Sequence, residues 1–94
     1  MRNGDYFLRS VWEELSVYQR TSVVVYLKMM GYYVASGWDE FDVDYIEYPE
    51  KYITTTDAIG MIGLYFSNEE PPGTELTLDD LQLMAKLGMH NENQ

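Results

Sequence analysis

The chain has no cysteine, so a disulfide framework and a thiolate-held metal are both closed to it. That absence fits a reducing compartment, and a cytoplasmic protein is expected. Its single histidine, His90, lies near the C-terminal end, where a general base would lack a fixed position and a partner. With one histidine, a zinc ion would need several carboxylate ligands, so no metal site is expected. Long apolar runs are also missing. The longest, Val23–Leu27, falls far short of the ~20 residues a membrane helix needs. The opening residues, MRNGDYFLRS, contain no apolar signal-peptide core. The expectation is a soluble protein without a membrane partner.

Basic residues are scarce: six Lys and Arg stand against sixteen Asp and Glu, for a net charge of −10. Such a chain repels phosphates, so direct binding to nucleic acid or to an anionic membrane is not expected. Catalytic motifs are absent as well. Glycines 60, 63 and 73 precede no Lys-Ser or Lys-Thr, so there is no phosphate cradle, and no serine sits in a G-x-S-x-G turn. Paired carboxylates for glycoside hydrolysis need a deep pocket, which a chain this short rarely encloses. The sequence therefore favours binding over catalysis, with no cofactor.

What is present is a foldable chain. Its hydrophobic fraction of 46% excludes wholesale disorder. Ninety-four residues give one domain, 1–94, with 1–4 and 89–94 expected to fray. No internal repeat or low-complexity tract is visible.

Periodicity favours a mainly α fold of about four helices joined by an acidic-aromatic segment. Phe7, Leu8, Val11, Trp12, Leu15 and Tyr18 recur at helical steps over 5–19, with Asp5 as N-cap. Thr21 or Ser22 starts a second helix, with Val23, Val24, Leu27, Met30 and Val34 inward. Gly31 is either its stop or an interior weak point. Thr54–Asp57 caps a third helix bearing Ala58, Ile59, Ile62 and Phe66, in which Gly60 and Gly63 admit another backbone. Residues 68–73 are a loop. Thr77 caps the last helix, with Leu78, Leu81, Met84 and Leu87 on its apolar face and Gly88 as its C′ residue. The alternative is an α+β fold with a strand pair at 23–27 and 41–46, which three consecutive valines and the alternation Phe41, Val43, Tyr45 favour.

The functional signal is concentrated in WDEFDVDYIEYPEKY, residues 38–52. Asp39, Glu40, Asp42, Asp44, Glu47 and Glu50 are interleaved there with Trp38, Phe41, Tyr45, Tyr48 and Tyr52, and no Lys or Arg intervenes between Lys28 and Lys51. Helix, strand and loop remain open for this segment, with Pro49 ending any regular element. Asp42, Asp44 and Glu47 offer hard oxygen ligands, but the central glycine of an EF-hand loop is missing. Carboxylates spaced a few ångströms apart can imitate DNA, which carries one charge per ~1.7 Å of axis. Tyrosines and tryptophans supply anchor area and cation–π faces for arginine. The candidate partner-binding residues are Asp39, Glu40, Asp42, Asp44, Tyr45, Glu47, Tyr48 and Glu50. The alternative is that the aromatics are core and the acids merely solvated, although fourteen aromatics in ninety-four residues argue that some remain outside the core.

Asp44-Tyr45-Ile46-Glu47-Tyr48-Pro49 resembles the acidic D-x-x-Y-Y-P segment of colicin DNase immunity proteins, small helical proteins that block a basic nuclease. Glu47 stands where that pattern has its first tyrosine, and the flanking sequence does not follow the family. The resemblance implies contact roles for Asp44, Glu47 and Tyr48.

The expected function is an acidic inhibitor that occupies the nucleic-acid site of a basic enzyme, as a phage anti-CRISPR or anti-restriction DNA mimic would. An immunity or antitoxin protein for a dedicated nuclease, and a self-associating structural subunit, are the alternatives. The 69–80 acidic stretch is a second candidate surface.

Overall fold

The computed structural model describes residues 1–33, 51–57 and 62–92. In chain order they form β1 (Tyr6–Leu8), α1 (Arg9–Glu14), α2 (Val17–Met29), β2 (Tyr52–Asp57), β3 (Ile62–Ser67) and α3 (Leu78–Glu92). The described residues make an α+β fold, with three helices and a three-stranded antiparallel sheet in the order β1-β2-β3. This corrects the expected mainly α, four-helix architecture.

The expected helix over 5–19 is in fact three pieces. Tyr6, Phe7 and Leu8 pair with Thr54, Ile53 and Tyr52, so Phe7 reaches the core as an alternate residue of a strand. Its ring lies 5.5 Å from that of Trp12 on α1. Phe7 and Leu8 of β1, Val11 and Trp12 of α1, Leu15 between the helices and Tyr18 of α2 together mimic one helical stripe. Asp5 does not cap a helix; its carboxylate accepts from the N–H of Arg2 at 2.8 Å and of Thr74 at 2.9 Å.

Helix α2 starts at a capping box rather than at Thr21 or Ser22. The Ser16 hydroxyl accepts from the Gln19 backbone N–H, and the Gln19 side-chain Oε1 accepts from the Ser16 backbone N–H. The hydroxyls of Thr21 and Ser22 instead donate to carbonyls one turn back. Val23, Val24 and Leu27 are buried as expected, whereas Met30 is exposed. Gly31, at φ +91°, closes the helix: its N–H donates to Lys28 O and that of Tyr32 to Leu27 O. This left-handed turn is a Schellman motif, with Tyr32 and Leu27 both in the core. The alternative strand at 23–27 is thus also corrected, and 41–46 lies outside the described residues.

The expected third helix is corrected: its described part, Ile62–Ser67, is strand β3, its expected cap Thr54–Asp57 lies in strand β2, and Ala58, Ile59 and Gly60 lie outside the described residues. The run Tyr-Ile-Thr-Thr-Thr is rich in β-branched residues, and β2 pairs with β3 from Tyr52↔Ser67 to Asp57↔Ile62. One sheet face carries Phe7, Ile53 and Leu64 into the core, where Val23, Val24, Leu27, Leu81 and Met84 of the helices meet them. The other face carries Tyr6, Tyr52, Thr54 and Tyr65. Thr54 and Thr55 cap nothing helical; their hydroxyls donate to the carbonyls of Asp5 and Arg2 at 2.9 Å each.

Both sheet edges are partly covered. Glu75 bridges Tyr6 in parallel, and Tyr33 bridges Gly63 in parallel. A Cβ on Gly63 would sit 3.2 Å from Tyr33 O, so this glycine does admit a backbone, but from within a strand. Helix α3 opens with a reciprocal cap between Thr77 and Asp80. It continues through Gly88, which is therefore not its stop. The inward residues are Leu81, Met84, Ala85 and Gly88, whereas Leu87 is 44% exposed. A Cβ on Gly88 would lie 1.9 Å from Ser22 O, so α2 and α3 touch through backbone at this point.

Candidate functional site

Asp39, Glu40, Asp42, Asp44, Tyr45, Glu47, Tyr48 and Glu50 all lie outside the described residues. The structure does place the residues on either side of that segment. Tyr33 is bonded along β3, its N–H donating to Ile62 O at 2.7 Å. Lys51 O accepts from Arg9 N at 2.8 Å, immediately before Tyr52 enters β2.

Within the described residues, a second acidic surface forms along the β1 edge and the start of α3. Glu69, Glu70, Glu75, Asp79 and Asp80 are all exposed. Of these, Glu70 and Glu75 are brought together by Tyr6. Its hydroxyl donates to Glu70 Oε1 at 3.0 Å, while its backbone bonds Thr74 O and the Leu76 N–H on either side of Glu75. The Glu70 hydrogen bond, then burial and the nearby charges of Glu70 and Glu75, push the Tyr6 phenol up to about 12. Tyr6 also meets Tyr52 edge-to-face, with ring centroids 5.5 Å apart. No local pattern in the sequence hints at this arrangement, because Tyr6 and Glu70 stand 64 positions apart in the chain.

Asp5 ties the same edge to the N-terminal residues. Burial acts to raise its carboxyl pKa, but the N–H bonds from Thr74 and Arg2, aided by the N-terminal amine and the Arg2 charge, outweigh it and hold the group below the usual carboxylate range. Arg20 serves the helices: its guanidinium donates to the carbonyls of Trp12 at 3.2 Å and Glu13 at 3.0 Å, closing the end of α1.

Beside the acidic edge, the outer sheet face carries a cleft of about 280 Å³. Thr54, Thr56 and Tyr65 floor it, and Gly4 and Pro71–Pro72 wall it. The Gly73 N–H donates to Gly4 O at 3.1 Å and links the two walls.

Among the described residues, no group of three or more His, Cys, Asp or Glu side chains is placed to hold a metal ion. Nor, among them, is any helix long and apolar enough to cross a membrane. Compared with protein-family models, curated proteins and solved structures, the chain matches none.

Proposed function

We propose that this protein is a non-catalytic acidic inhibitor that occupies the nucleic-acid site of a basic enzyme, acting in the cytoplasm as a DNA mimic of the phage counter-defence type. The observation that carries the reading is the excess of carboxylates and their position. Besides the six acids of 38–52, five exposed acids line 69–80, and Glu13 and Glu14 are exposed on α1. A field of this sign and density suits a surface built to grip phosphates, and repels phosphates themselves.

Charge reversal tests it. Lysine at Asp42, Asp44 and Glu47 together should slow association with a captured basic enzyme by about tenfold or more at low salt, with a smaller effect on dissociation. An unchanged association rate would exclude 38–52 as the contact; the same result with Glu69, Glu75 and Asp79 reversed would remove the mimic reading altogether.

A second reading, a self-associating subunit, draws on exposed apolar side chains: Tyr18, Met30, Tyr33 and Leu83 are each more than half exposed. It requires discrete oligomers of the isolated chain at high micromolar concentration, and a strict monomer would exclude it.

A further inference from the structure

The cleft on the outer sheet face has a composition that the acidic edge alone does not explain. Its floor and walls hold no charged side chain. The Thr54 hydroxyl is already committed to the Asp5 carbonyl, and Thr56 and Asn3 add uncharged polar side chains to the lining. Tyr65 stands opposite Thr54 in the β2–β3 register and is 42% exposed, leaving ring surface open. Pro71 and Pro72 give an apolar wall with fixed φ. Immediately before them come Glu69 and Glu70, and Glu70 is anchored by Tyr6.

At about 280 Å³ the space falls just below the ~300–1,000 Å³ typical of small-molecule sites, so it suits a single long side chain. A narrow apolar wall beside an open aromatic ring suits an apolar stem with a planar cationic head, as arginine has, and Glu69 and Glu70 directly precede Pro71 in the chain. An anionic ligand is opposed by the net charge of −10.

We propose that this cleft receives one arginine side chain of the basic partner, its methylenes along Pro71–Pro72, its guanidinium stacked on Tyr65 and facing the Glu69–Glu70 carboxylates. This rests on the proposed function and adds to it a shaped anchor. The long-range field draws the partner in, and the cleft fixes its register.

The test is an NMR titration of the labelled chain at low salt with a blocked tetra-arginine peptide and with its uncharged tetra-citrulline counterpart. Saturable shifts at Gly4, Thr54, Thr56 and Tyr65 are expected with arginine, at least about tenfold weaker with citrulline. Tyr65→Thr, which keeps β propensity but removes the ring, should weaken arginine binding roughly three- to tenfold, while Tyr65→Phe retains it. Equal affinity for citrulline would overturn the proposal in wild-type protein, whether or not the variant folds. So would an unchanged affinity in folded Tyr65→Thr. Arginine-induced shifts confined to acidic residues away from the cleft would overturn the anchor and leave the inhibitor reading standing. No arginine binding anywhere on the chain would remove both.

Discussion

Gly88 shows how much a single hydrogen atom in place of a methyl can decide. Alanine has the better helix propensity by about 1 kcal/mol, yet here its Cβ would meet the Ser22 carbonyl oxygen, which belongs to backbone and cannot rotate away. Overpacking should win. Gly88→Ala is expected to lower stability by roughly 1–3 kcal/mol net, read from the urea midpoint, and a stabilised variant would contradict the α2–α3 contact. Asp5 makes a different prediction. Its folded pKa lies below the ordinary 3.8, so ionised Asp5 stabilises the fold at neutral pH and that contribution is lost as pH falls through the folded value. Asp5→Asn should therefore be less stable than the parent at pH 7, with the gap closing below about pH 4. A gap that persists at low pH would mean that the carboxylate charge is not what Arg2 and Thr74 respond to.

At the scale of elements, local signals were readable where local forces act. The Thr77 cap, the Asp79–Asp80 first turn and the inward Val23, Val24 and Leu27 all follow from residues within one or two turns. The Ser16–Gln19 capping box carried its signal in Ser-x-x-Gln, overridden by an apolar stripe that crossed it. Ser16→Ala should cost about 1 kcal/mol in a thermal or urea melt. Loss of far less would mean that α2 is set by burial of Val23, Val24 and Leu27 alone. Strands were less legible. β1 is three residues long, and Thr54 and Thr55 of β2 are satisfied by carbonyls about fifty positions earlier, which no window along the chain can show. Distance along the chain also hid the candidate surfaces: Tyr6 gathers Glu70 and Glu75, and Tyr65 lines one cleft with Pro71–Pro72 and Gly4. Only the charge itself, at 38–52 and 69–80, was visible in the sequence.

For the molecule as a whole, a two-layer fold leaves one sheet face to the helices and the other partly open. The open face holds the cleft, and the β1 edge holds the acids. On the proposed inhibitor reading, the field supplies rate and the cleft supplies specificity, so binding should be sensitive to salt. The most direct measurement is competition. The chain is used to capture a basic enzyme from host lysate at low salt, and the complex is then challenged with duplex DNA. The mimic reading predicts displacement by DNA, and release at moderate salt without it, because both ligands need the same cations. A complex that stays intact in excess DNA would contradict it.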